Sequence, residues 1–109
     1  MPVLFTHLHT RGLRDEQLRT VFDRFRETGT GPAILMGDLN TQRSEPIMQE
    51  LLAAMPEATD AVHSVLGEQD PADRVDWIIT RDFLIGSGGM TEAGASDHPY
   101  FWVSLSTSA

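Results

Sequence analysis

No cysteine occurs in this chain, which excludes disulfides and thiolate metal sites as sources of stability or chemistry. Lysine is missing too: all eight basic residues are arginine, set against sixteen acids for a net charge of −8. The imbalance is uneven. Met1 to Met55 carries six arginines and seven acids, and Pro56 to Ala109 carries two and nine, leaving −1 and −7 for the two halves. Neutralising a phosphate backbone requires basic side chains, so this surface counts against duplex nucleic acid as a partner. Clustered acids suit a divalent cation or plain solubility. No apolar run approaches membrane-spanning length, and no basic leader or cleavable apolar segment precedes the strand-like start, so a cytoplasmic location is expected.

At 109 residues, with 40% hydrophobic and 22% charged content, the chain has the make-up of one small globular domain. Pro2 to Leu8 reads as a strand with His7 near its end, followed by a polar turn. Leu18, Val21, Phe22 and Phe25 recur at helical spacing and predict a helix over 14–27, supported by an Asp15–Arg19 pair and stopped at Gly29. Ala33 to Gly37 is a short apolar run bounded by Pro32 and Gly37, the pattern of a buried strand. A second helix is expected from Ser44 as cap, through Glu45 and Pro46, to Met55, with Pro56 ending it. Glu57 to Asp73 stays open between loop and a short helical turn over 59–65, and 67–73 reads as an exposed loop. Val75 to Thr80 is strand-like, Phe83 to Ile85 starts a strand that three glycines loosen, and Tyr100 to Leu105 closes the chain.

Four places can carry chemistry: His7, Asp38 with Asn40, Asp76, and Asp97 with His98. Asp38 and Asn40, two apart at a strand end, can share one ligand while Leu39 turns back into the core; an Asx turn explains the same residues equally well. Asp76 lies between Val75 and Trp77-Ile78, and a carboxylate in such company needs a partner. His98 is the natural one, because an Asp–His pair fixes an imidazole in one tautomer and makes it a better base. No serine or cysteine sits in a nucleophile elbow, which points to water as nucleophile. Carboxylate-rich ligation without cysteine favours Mg²⁺ or Mn²⁺, and metal-assisted phosphoester hydrolysis is the reaction class this set suggests.

Thr6-His7-Leu8, Gly37-Asp38-Leu39-Asn40, Arg74-Val75-Asp76-Trp77-Ile78 and Ser96-Asp97-His98-Pro99 occur in that order. Together they resemble the C-terminal half of the endonuclease/exonuclease/phosphatase superfamily, over Phe5 to Leu105. The resemblance implies an α/β (α+β) fold: the C-terminal half of a two-sheet β-sandwich flanked by helices, a single partial domain over residues 1–109. It also implies roles. His98 would be the base that activates water or contacts the phosphate, oriented by Asp76. Asp38 would position the nucleophile or bind a metal, and Asn40 would hydrogen-bond the scissile phosphate or bind the metal. His7 would stabilise charge on the phosphate, and Asp97 would bind Mg²⁺ or Mn²⁺. Trp77 would be packing, with His9 and His63 surface residues. The substrate would be a phosphate ester, whether in nucleic acid, a phospholipid head group or a sugar phosphate.

Family members begin with a strand ending in Asn and a Leu-Gln-Glu-Val-like segment whose Glu binds the metal, and neither is present here. About one sheet and its helices are expected, with an inner face that needs a cover: the other half, or a second copy of this chain. A non-catalytic half-domain is therefore the alternative to a phosphoesterase. A third reading, a metallo-β-lactamase-like zinc pair at His7-Leu8-His9, lacks the Asp-His that should follow it.

Overall fold

A computed structural model describes residues 1–8, 13–91 and 99–107. Strand β1 (Val3–His7) leads to helix α1 (Arg14–Glu27), strand β2 (Ala33–Asp38) and helix α2 (Pro46–Ala53). A short strand β3 (Ala58–Asp60) then runs directly into helix α3 (Ala61–Leu66) and a 3₁₀ turn (Gly67–Gln69). Strands β4 (Asp76–Arg81), β5 (Leu84–Thr91) and β6 (Tyr100–Ser106) complete the chain. Four strands form one sheet in the order β1-β2-β4-β3, with β1 parallel to β2 and the other pairs antiparallel. β5 and β6 form a separate antiparallel ribbon. The structure thus contains part of a second sheet, where the sequence led us to expect about one.

Strand alternation gives the main sheet two apolar faces, covered differently. On one, Leu35, Trp77 and Ile79 meet Leu18, Phe22 and Phe25 of α1 and Met48 and Leu51 of α2. On the other, Ile34, Met36 and Ile78 meet Ala61 and Val62 of α3 together with Ile85, Phe101 and Val103 of the ribbon. Val3 pairs with Ile34 and Phe5 with Met36, so both belong to this second face. At the β1 edge that face is uncovered, leaving Val3 41% and Phe5 73% exposed. Tyr100 and Trp102 are exposed on the opposite side of the ribbon from Phe101 and Val103.

Several local expectations need correction. Ser44 does not cap α2; Glu45 occupies the cap position, its carboxylate turned instead to the Gln42 N–H and to Arg14. The Asp15–Arg19 pair acts through charge rather than a hydrogen bond: the Asp15 carboxylate helps hold the Arg19 proton, while Asp15 is bonded by Arg14 and Arg19 reaches across to Glu50 of α2. β5 is longer than expected, continuing through the glycines to Thr91, but they do loosen it: its register against β6 shifts between Ile85 and Gly88. A Cβ at Gly88 would stand 2.6 Å from the Val65 side chain and 2.7 Å from the Trp102 carbonyl, so the bare backbone lets ribbon and α3 meet.

The largest correction concerns Asp70, within residues 67–73 that are otherwise mostly exposed as expected. Asp70 is buried rather than loop-exposed. Its carboxylate accepts from Arg74 Nε at 2.7 Å and Nη2 at 3.1 Å, contacts His63 Nδ1 at 2.9 Å and is bonded to Arg43. Arg74 also holds both oxygens of Asp60 and stacks 4.4 Å from the Trp77 ring, with Phe101 at 5.9 Å. Burial alone would raise the Asp70 carboxyl, but hydrogen bonds and charge from Arg74, then the His63 hydrogen bond and the Arg43 charge, outweigh it and hold the group below its usual range. His63 keeps an exposed ring, yet it is bound into this network.

Candidate functional site

The end of the main sheet where β1 and β2 finish and β4 begins gathers three of the candidate side chains. His7 pairs with Asp38, and Asp38 pairs with Asp76. Residues directly opposite in adjacent strands share a face, so His7, Asp38 and Asp76 form one row across three strands. Two residues further along each strand the same face is apolar: Phe5, Met36 and Ile78. The row is therefore the polar rim of a hydrophobic face. His7 Nε2 stands 3.6 Å from Asp38 Oδ2, an ion-pair separation too long for a hydrogen bond. The His7 side chain is largely exposed and Asp38 is about a quarter exposed.

The strand end is shaped by Gly37, whose φ of +139° lies in a region side chains rarely adopt. A Cβ there would fall 1.9 Å from the Thr6 carbonyl oxygen, so the absent side chain is what allows β1 and β2 to pair up to His7 and Asp38. Beyond it, Asp38 Oδ1 accepts the Asn40 N–H at 2.8 Å, an Asx turn, and Asn40 takes a left-handed φ of 48°. The turn and the functional reading are thus compatible, since only one Asp38 oxygen is occupied by the turn. Leu39 is fully buried between them, and its N–H donates to the Val75 carbonyl at 2.9 Å. Thr41 offers its carbonyl to Trp77 Nε1 at 2.8 Å and its hydroxyl to the Leu39 carbonyl at 2.7 Å. Trp77 is 1% exposed, a core residue whose indole N–H anchors this loop.

Arg74 enters the site through the backbone: its Nη1 donates to the Asp76 carbonyl at 2.7 Å. The first residue of β4 is thereby tied to the buried Asp60–Arg74–Asp70 network. Asp97 and His98 lie outside the described residues, as does His9, so the row is a partial view of the sequence set. Sequence reasoning overlooked Arg14 and the inward turn of Asp70. Arg14 gives one signal, a cation at the positive end of a helix, whereas Asp70 gives none, because a polar run with two acids reads as solvated.

No family model matches the chain, and no curated protein matches it. Solved structures do. An endonuclease/exonuclease/phosphatase from Bacteroides vulgatus superposes with TM-score 0.74 at 19% identity, over 95% of this chain and 50% of that one. A mannosyl-6-phosphatase from Bacteroides thetaiotaomicron gives 0.68 at 19%, over 95% and 50%. The human nocturnin catalytic domain with bound sulfate gives 0.69 at 17%, over 92% and 46%. This chain has the endonuclease/exonuclease/phosphatase fold. It spans about half the length of the structures it matches, consistent with the C-terminal half of that fold.

Proposed function

We propose that this chain carries part of a metal-dependent phosphoester-hydrolysing site of the endonuclease/exonuclease/phosphatase kind. The observation that carries this reading is the His7–Asp38–Asp76 row, at the end of a sheet in that fold. Among the described residues, no three His, Asp or Glu side chains are gathered tightly enough to cage an ion. Mg²⁺ needs no such cage: it retains several waters and takes one or two carboxylates plus substrate oxygens. Asp38, with one oxygen in the Asx turn and the other facing the rim, fits that role, and the resemblance assigns Asn40 and Asp97 to the same metal. When bound, the metal would offset phosphate charge and polarise the ester.

The chain's own residues supply the rest. Asp76 orients His98, and His98 takes a proton from the attacking water. Asn40 donates from its carboxamide to a phosphate oxygen, and His7 adds stabilisation of the phosphate charge from the far end of the row. The substrate is a phosphate ester of nucleic acid, lipid head group or sugar phosphate.

The uncovered face at Val3 and Phe5 favours a second reading. Here the chain is a non-catalytic half-domain that becomes active only when the missing half of the sandwich, or a different partner chain, covers that face. Hydrolysis of bis(p-nitrophenyl) phosphate by the purified chain with Mg²⁺ or Mn²⁺ separates the two. Metal-dependent turnover that falls roughly 100-fold or more in His98→Ala, and likewise in Asp38→Asn, supports a working site. A folded but inactive chain supports the half-domain, and turnover indifferent to both substitutions overturns the roles assigned here.

A further inference from the structure

The loop after β2 makes a demand that the strand itself does not. Asn40 sits in the left-handed region, a conformation that residues other than glycine keep only when their surroundings enforce it. Its N–H is held from within the loop by Asp38 Oδ1. Its carbonyl is held from outside, by Arg14 Nη1 at 3.2 Å, across 26 positions of chain. The same nitrogen donates to Glu45 Oε1 at 2.7 Å, and Glu45 Oε2 accepts the Gln42 N–H at 2.7 Å. Arg14 and Glu45 together therefore brace the loop from Asn40 to Gln42.

Helix energetics do not explain this arginine. Arg14 is the first residue of α1, where the helix dipole disfavours a cation, and the helix has no side-chain cap at Leu13. Its Nε and Nη2 bond Asp15, which softens that conflict but leaves Nη1 pointing at the loop. The side chain is only 20% exposed, against 52% for Arg19 and 51% for Arg26 on the same helix.

We infer that Arg14 is a positioning residue for the phosphate site: it clamps the Asn40 peptide so that the Asn40 carboxamide keeps its place relative to Asp38. This rests on the proposed role of Asn40 toward phosphate. A lysine keeps the charge that holds Glu45 and a donor for the Asn40 carbonyl, on a shorter stem and without the fork to Asp15, whereas a glutamine carries no charge to hold Glu45.

The test combines amide hydrogen exchange by NMR with titration of inorganic phosphate in the presence of Mg²⁺, in the full chain. In Arg14→Gln, exchange at the Asn40 N–H should rise about tenfold, and phosphate affinity should fall about tenfold, with Ile79 in the sheet unchanged. Arg14→Lys, which keeps the charge, should lie closer to wild type than Arg14→Gln on both readouts, and Asp15→Asn should match wild type. The inference is overturned if Arg14→Gln leaves Asn40 exchange unaltered, if Ile79 loosens equally, or if Asp15→Asn reproduces the loss. A wild type that binds no phosphate, while Arg14→Gln still loosens Asn40 alone, would overturn the reading of the site and leave the brace standing.

Discussion

Gly37 is the residue on which the site's geometry is most sensitive. Any side chain there meets the backbone of β1, which cannot swing away as a flexible side chain would. Gly37→Ala should therefore destabilise the fold by roughly 3 kcal/mol or more, the combined cost of overpacking and an unfavourable φ. A lower urea midpoint with an unchanged m-value would register it. Asp70 supports a second expectation at this scale. Its carboxyl titrates lower in the folded chain than in the unfolded one. The stabilisation it provides is therefore present above the unfolded value of about 3.9 and is lost as pH falls through the folded one. Urea midpoints followed from pH 7 to acid should fall for the wild type. Asp70→Asn should start lower at pH 7, fall less steeply and converge with the wild type on acidification.

At the scale of elements, the loop joining β2 to α2 is fastened from three sides: by Arg14, by the Asx turn and by the indole of Trp77. Trp77→Phe keeps an aromatic ring in the core but strands the Thr41 carbonyl, at a cost of about 1–3 kcal/mol. Differential hydrogen exchange should show the loss concentrated at residues 39–42, with α1 retaining its protection. The elements themselves differ in how legible they were. Helix α1 was legible to the residue because Leu18, Phe22 and Phe25 mark one face and Gly29 a stop. The β3–α3 segment was legible only in part: α3 realises the short helical turn left open over 59–65, with Asp60 as its cap, whereas three residues of strand are too short to establish a period, and Arg74 holds Asp60 from a distance. The rim row could be read as separate residues at strand ends. Their alignment required the register, and nothing local to His7, Asp38 or Asp76 encodes which strands are neighbours.

For the whole molecule, the decisive property is a sheet whose second face is only partly closed by α3 and the β5–β6 ribbon. A protein that leaves Phe5 three-quarters exposed beside Val3 should associate with itself or with a covering partner. Sedimentation velocity should show the isolated chain forming reversible oligomers at micromolar concentration, and Phe5→Ser should shift it toward monomer without lowering its melting temperature. A monomeric wild type would count against a second copy of this chain as the cover.

The two tryptophans of this chain stand in opposite surroundings: Trp77 is sealed beneath the Arg74 guanidinium, and Trp102 lies half open on the outer side of the ribbon, over Gly89. The protein thus carries its own pair of optical probes. Acrylamide should quench the red-shifted emission of Trp102 and spare that of Trp77. Any body that settles over the ribbon would then announce itself as a blue shift confined to the quenchable component, whereas unfolding would move both.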